Sequence, residues 1–384
     1  MSQPKLQQKL PDVGTSIFAV MTGMAIKHNA DNLAQGFPEF DPDPWLKDRV
    51  NYYVQAGANQ YAQMPGTPQL RARIEEKLKY FYNVNRSADD EITVTSGATE
   101  AIFGVIQAVI KPGDETIMFD PSYDSYDPAV RLAGGKSIRL PMSDKTLSID
   151  WELARQAFSD KTRLIIINSP HNPLATVLTE DDLNELAELV RGTDCLILSD
   201  EVYEHIIFDD MAHASVLKHP DLANRSFVIS SFGKTYHSTG WKIGYCVAPP
   251  ELTTALRQIH QFLTFSTSTP MQLAIADMML EQPDYPKELA EFYQNKRDIF
   301  ADSVKSSRFK IIPCHGTYFQ LLDYSDISDD DDMTFTAWMT QNIGVATIPI
   351  SPFCATPPTR KLIRCCFAKN DETLKSVGER LSKL

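Results

Sequence analysis

Five short segments put reactive side chains directly after apolar runs: Ser96-Gly97-Ala98-Thr99, Asp120-Pro121-Ser122-Tyr123, Asn168-Ser169-Pro170-His171-Asn172-Pro173, Ser199-Asp200-Glu201-Val202-Tyr203 and Ser231-Phe232-Gly233-Lys234-Thr235. They offer an anion-binding loop, phenols, an amide, a carboxylate and a lysine. Each alone is an ordinary turn; five converging on one rim would form a constellation the size of a cofactor. Lys234 is the sharpest of these signals, because a charge placed straight after an apolar strand is costly unless it is used. The Ser96–Thr99 segment opens a helical pattern, where free backbone N–H groups and the helix dipole favour a bound phosphate.

Competing motifs fail on spacing. Gly233-Lys234-Thr235 resembles the tail of a nucleotide P-loop, but that pattern needs glycine at position 228, where Val228 stands. No two glycines lie two residues apart, so the dinucleotide fingerprint is absent, as are H-E-x-x-H and the G-x-S-x-G elbow. The six cysteines, Cys195, Cys246, Cys314, Cys354, Cys365 and Cys366, form no C-x-x-C pair; reduced thiols in a cytoplasmic protein without a metal site are expected.

The elements that must position these segments are short apolar runs at Glu91–Thr95, Glu115–Phe119, Leu164–Asn168, Cys195–Ser199, Phe227–Ser230 and Gly244–Ala248. Runs such as Leu164-Ile165-Ile166-Ile167 are apolar without alternation, as expected of strands covered on both faces. Helical patterns between them, Ala98–Ile110 and Glu180–Arg191 (the latter capped by Thr179), predict an α/β fold with a mostly parallel sheet, in which ligands bind beyond the strand carboxyl ends. After Pro249 the pattern turns to long polar helices, notably Glu288–Ser307, and then strand-like runs at Tyr318–Leu322 and Leu362–Phe367. A smaller α+β domain is expected there. The division is 46–280 for a large domain, and 1–45 with 281–384 for an N-terminal segment plus the small domain. The acidic run Asp329–Asp332 reads as a solvated loop leading into a helix near Met333–Gln341.

The chain has 384 residues, 43% hydrophobic and 23% charged, and a formal net charge of -13. Those values belong to a globular protein of two or three domains and give no footprint for a nucleic-acid backbone. Met1–Leu10 lacks the apolar stretch of a secretory signal, and nowhere do about 18 apolar residues run together, so neither export nor a membrane partner is expected.

A lysine, an aspartate and a phosphate cradle at strand ends are what pyridoxal 5'-phosphate needs: its aldehyde condenses with an amine, and its ring nitrogen needs an acidic partner. Lys234 and Asp200 would fill those roles. With Gly36-Phe37-Pro38, Asn59-Gln60-Tyr61, Gly66, Gly240-Trp241-Lys242-Ile243-Gly244 and Ile363-Arg364 added in order, nearly the whole chain resembles the class I aminotransferases, fold-type I pyridoxal-phosphate enzymes. The resemblance is nearest to the branch that holds the methionine, kynurenine and glutamine enzymes. It implies a seven-stranded sheet flanked by helices, and a homodimer with shared active sites.

The resemblance further implies that Lys234 carries the cofactor and then acts as general base, that Asp200 pairs with the ring nitrogen, and that Tyr203 and Asn172 hydrogen-bond the ring oxygen. Tyr123 would stack on the ring. Gly97, Ala98, Thr99, Ser231 and Lys242 would hold the phosphate, with Tyr61 reaching in from the partner subunit. Arg364 would clamp the substrate carboxylate, a task suited to its fork of donors, with Gly36, Asn172 and Phe18 beside it. Lys242 stands where many members have arginine; His237 and Ser238 also depart from the family pattern. His171 and His237 read as structural residues.

No second cation for an acidic side chain is identifiable, whereas Ile17, Phe18 and Phe37 offer apolar surface, although Ile17 and Phe18 could equally anchor a helix in a core. The expected activity moves the amino group of methionine or another apolar or aromatic amino acid to a 2-oxo acid. Alternatives are a C–S β-lyase for cysteine conjugates or cystathionine on the same fold, and a ligand-sensing regulator, which would need a basic DNA-binding domain ahead of Gly36.

Overall fold

The computed structural model describes residues 7–384. Two sheets organise them. The larger contains β2 (Ile92–Thr95), β3 (Glu115–Asp120), β4 (Lys136–Pro141), β5 (Thr162–Asn168), β6 (Leu196–Asp200), β7 (Ser226–Ser231) and β8 (Gly244–Val247), in the order β2-β8-β7-β6-β5-β3-β4. Only β8 runs against its neighbours. The unbroken apolar runs of β5 and β6 are buried on both faces, between one core containing Ile165, Ile167 and Ile197 and another containing Leu164, Ile166 and Leu198. Strand alternation sends successive side chains to opposite cores, and the helices Pro68–Tyr82 and Gly97–Val109 contribute to these two layers respectively.

All six expected strands form, with ends shifted by a residue or two. The edge strand β4 was not anticipated: Ser137 and Arg139 interrupt its apolar content, and with one neighbour it needs less. The rim is set by register. Asn168 lies opposite Asp200, and the antiparallel β8 starts at Gly244, which lies opposite both Ser231 and Thr95. Only glycine fits there, since a Cβ on Gly244 would come within 2.8 Å of the Ala98 nitrogen.

The smaller sheet is antiparallel, β12 (Ile348–Pro349), β13 (Leu362–Cys366), β10 (Phe319–Asp323) and β9 (Lys310–Ile311) in that order, and a two-strand pair joins β1 (Asp31–Asn32) to β11 (Val345–Ala346). The helix Tyr285–Val304 packs Tyr293, Phe300 and Val304 into the core beneath this sheet. Ahead of it, the helix Ile17–His28 buries Ile17, Met21 and Ala25 against Ile348 and Phe353, so Ile17 is a core anchor while Phe18 is only half-buried.

The acidic run departs from expectation at one residue. Asp332 is buried, its carboxylate accepting from the Ile350 and Ser351 amides (both 2.7 Å) and from Ser351 Oγ (2.6 Å). An acid whose acceptors are filled by amides can be buried at little penalty; here it fastens the helix Asp332–Trp338 to β12. That helix continues as a π-helical turn, Met339–Ile343, ended by Gly344. No helix among the described residues is long and apolar enough to cross a membrane.

Candidate active site

Lys234 projects from the one-turn helix Phe232–Thr235 that follows β7. Its Nζ donates to Tyr318 Oη at 2.8 Å and lies 3.5 Å from the Gly36 carbonyl, to which Tyr318 itself donates at 2.7 Å. The tyrosine proton is thus committed to Gly36, and its oxygen faces the lysine. Burial brings the Lys234 pKa down to about 8, so a neutral amine is within reach near physiological pH. Among the described residues no carboxylate pairs with it, although the Tyr203 and Tyr318 rings both lie 5.3 Å away.

Asp200, at the end of β6, is buried, and burial raises its pKa to about 6. Tyr126 Oη opposes that shift by donating at 2.6 Å, and the Val202 amide adds a 3.3 Å contact. Beside it, Asn168 donates to the Asp200 carbonyl (2.8 Å) and accepts from the Asn172 amide (2.8 Å), which fixes the Asn168–Pro173 turn against β6. Asn172 Oδ1 accepts from Arg364, which fixes the amide's orientation and leaves its two N–H donors for another partner. Burial keeps the Tyr203 phenol protonated and therefore a donor.

Lys234, Asp200, Asn168, Asn172 and Tyr203 line one cavity of about 160 Å³, together with Gly97, Ala98, Thr99, Tyr123, Ser231 and Lys242. Gly97 is left-handed, φ +75, at the start of a 13-residue helix, and a Cβ there would sit 3.3 Å from Lys242 Nζ. Free helix N–H groups, a hydroxyl and an ammonium therefore share one end of the cavity.

Arg364, on β13, meets this cavity through Asn172. It is fully buried yet makes no ion pair among the described residues: one terminal nitrogen donates to Asn172 Oδ1 and the other to the Ala34 carbonyl, both at 2.7 Å, and Nε has no partner. Its guanidinium lies 3.8 Å from the Phe319 ring centre and 5.2 Å from that of Phe18. A neighbouring cavity of about 290 Å³ is lined by Arg364, Lys234, Gly36, Phe18 and Phe37. Gly36 is needed for this close packing, because a Cβ would come within 2.8 Å of Phe319.

The structure thus brings every residue expected to touch cofactor or substrate to these two cavities except Tyr61, which is 84% exposed, edge-on to Phe265, and outside its own chain's site. His171 accepts from the Leu174 amide and His237 packs against Phe40 and Tyr293; burial takes both imidazoles down to about 4, leaving them neutral. Two residues were missed. Tyr126 lies three positions beyond Tyr123, and Tyr318 begins a strand-like run, where an aromatic reads as core; only their hydroxyl partners reveal more.

Comparison with known proteins agrees along the whole chain. The family model for aminotransferase class I and II matches residues 30–381. The methionine aminotransferase of Escherichia coli strain K12 is 50% identical over 378 residues, covering 98% of each chain, and the kynurenine–oxoglutarate transaminase of Dictyostelium discoideum is 34% identical, covering 99% of this chain and 96% of its own. A crystal structure from Escherichia coli, reported with a methionine aminotransferase function, superposes with a TM-score of 0.97 at 49% identity, covering all of both chains.

Proposed function

The chain belongs to the class I and II aminotransferases, and on that premise we propose that it uses pyridoxal 5'-phosphate to move the amino group of methionine, and of other bulky apolar or aromatic amino acids, to a 2-oxo acid. The donor set fits the cofactor: a buried amine able to lose its proton, a buried carboxylate, and a helix terminus flanked by Ser231 and Lys242. When bound, the cofactor supplies an electron-accepting ring that lets a substrate Cα–H bond ionise.

The chain's own residues do the rest. Lys234 Nζ, once freed, takes the Cα proton and returns one when the transfer is completed. Because Tyr318 accepts an N–H and directs its own proton to Gly36, the lone pair of a neutral Lys234 stays available. Asp200 would hold the positive charge of the ring nitrogen, with Tyr126 favouring its ionised form. Asn172 and Tyr203 would present donors to the ring oxygen, Tyr123 would pack on the ring, and Gly97–Thr99 with Ser231 and Lys242, which line the same cavity, would hold the phosphate. Residues 46–280 would form the cofactor-bearing domain, with 1–45 and 281–384 beside it. Tyr61, exposed beside Phe265, would complete the phosphate site of a second subunit.

One observation carries the substrate assignment. The buried guanidinium of Arg364, without an ion pair among the described residues and walled by Phe18 and Phe319, provides a carboxylate clamp in apolar surroundings, and among the described residues the only other cation lining that cavity is Lys234. Mixing the cofactor-loaded enzyme with methionine and no 2-oxo acid should release one equivalent of the corresponding 2-oxo acid per site, without ammonia. Aspartate should react at least about 100-fold more slowly, as expected where a side-chain carboxylate finds no partner. Equal rates for aspartate and methionine would overturn the assignment.

A further inference from the structure

Successive residues of β7 face different cavities: Ser231 lines the Lys234 cavity, whereas Ser230 lines a separate one of about 400 Å³. This second cavity opens between the helix Pro68–Tyr82, strands β7 and β8, and the connection at Gln282 and Pro283 with Pro286 in the first turn of the helix Tyr285–Val304. Its walls are aromatic and apolar, with Phe232, Tyr236 and Tyr245 on one side and Met279 among the others; the Phe232 ring lies 6.1 Å from Tyr236 and 5.1 Å from Tyr245. Size and lining match those of small-molecule sites, which combine an apolar body with a few convergent polar groups.

Three polar features define what would fit. His205 lines the cavity with its ring 4.8 Å from Phe81, and its Nε2 is buried without a hydrogen-bond partner. Lys77 is already engaged by Glu204 and Tyr245, and Arg73 is paired with Glu76. Lys79, exposed and lining the same cavity, makes no ion pair among the described residues. Flat aromatic walls select a ring system, and an unpaired ammonium selects an anion beside it.

We propose that this cavity is a second ligand site, separate from the catalytic one, for a small aromatic carboxylate: the ring body lies among Phe232, Tyr236, Tyr245 and Met279 and the carboxylate meets Lys79. Such a ligand would contact the residues that flank Lys234 on its short helix, Phe232, Thr235 and Tyr236. The site rests on the fold and not on the proposed substrate, so the two readings can fail separately.

Calorimetric titration of the cofactor-loaded enzyme with 2-naphthoate tests it. Because a carboxylate can also occupy the Arg364 clamp, two variants separate the sites. Binding should survive Arg364→Ala within about twofold, and Met279→Trp, which fills the second cavity and leaves methionine turnover unchanged, should weaken it at least about 30-fold. Lys79→Glu, at an exposed position that leaves the fold intact, should weaken it about fivefold, and neutral 2-naphthol should bind at least about 10-fold more weakly than 2-naphthoate. Loss of binding in Arg364→Ala with retention in Met279→Trp would place the ligand in the catalytic cavity and overturn the proposal. So would no heat of binding at millimolar 2-naphthoate, and equal affinity for 2-naphthol would overturn the carboxylate assignment.

Discussion

Two partly buried lysines bring their amines to cavities on either side of β7, and their surroundings differ in kind. Lys77 Nζ lies 2.6 Å from Glu204 and 2.6 Å from Tyr245 Oη, and Glu204 also accepts from Ser230 and Tyr82. Burial disfavours both charges of that pair, but mutual attraction keeps the Glu204 carboxyl well below the usual range. Lys234 has only Tyr318 and a distant carbonyl, faces a cavity, and has its pKa brought down to about 8 by burial. A buried charge with every partner in place fastens structure. One left short of partners beside empty space is available for chemistry.

The largest contrast should appear on removing each amine. Lys234→Ala should lower turnover at least about 10⁴-fold, since both the covalent anchor and the proton acceptor go, while the folded state persists. Lys77→Ala should leave turnover per folded molecule within about threefold and strip the Glu204 carboxylate of its ion-pair partner, with a loss on the order of 3–5 kcal/mol. Turnover with methionine and chemical denaturation of both variants make the check; a Lys77 variant that folds normally but is as inactive as the Lys234 variant would erase the distinction.

Glu204→Gln sharpens the same comparison from the acidic side. It should destabilise the protein by about 3–5 kcal/mol, because Lys77 would then be a buried charge without a counter-ion. Urea midpoints read the loss. A change below about 1 kcal/mol would mean that Tyr245 and water suffice for Lys77.

The sequence distinguishes these two lysines only in part. Lys234 stands out because its turn follows an apolar strand and because Asp200 and the Gly97 loop occupy equivalent strand ends, so rim and cradle follow from position alone. Lys77 lies on a polar helical face, and nothing in its neighbourhood of the chain announces that Glu204, 127 residues away, will meet it. Tyr126 and Tyr318 were illegible for the same reason: what makes them part of the site is a hydroxyl contact across 74 and 84 residues, and an aromatic in an apolar run reads first as packing. The edge strand β4 escaped because a strand with one neighbour can afford polar residues.

The titration of Lys234 should be visible in the stability of the protein freed of cofactor. In the folded chain the amine loses its proton near 8, and in the unfolded chain near 10.5. Between those values the unfolded state binds more protons, so stability attributable to Lys234 rises with pH across that window, by on the order of 3 kcal/mol. Below pH 8 both states are charged and the contribution is flat at its least favourable. The difference in denaturation free energy between wild type and Lys234→Met should therefore narrow from pH 8 to pH 10.5, with Lys234→Met the more stable at pH 7. Parallel curves over that range would show that the buried amine is better partnered than its contacts indicate.

Tyr126→Phe should have the smallest effect, and it separates holding Asp200 from merely packing beside it. The Tyr126 hydroxyl donates to Asp200 Oδ2 at 2.6 Å, favouring the carboxylate against a burial that raises its pKa to about 6. Without that donor the acid form gains by about 1.4 kcal/mol, the worth of one hydrogen bond to a charged group, and the pKa moves up by about one unit. A carbon-13 titration of the Asp200 carboxyl in the cofactor-free variant should report a midpoint near neutrality, and turnover should fall by about fivefold at pH 6 but much less at pH 8, where Asp200 is ionised with or without the tyrosine. A uniform loss at both pH values with an unmoved titration would assign Tyr126 to packing alone, since only a hydroxyl acting on the carboxylate makes its loss depend on pH.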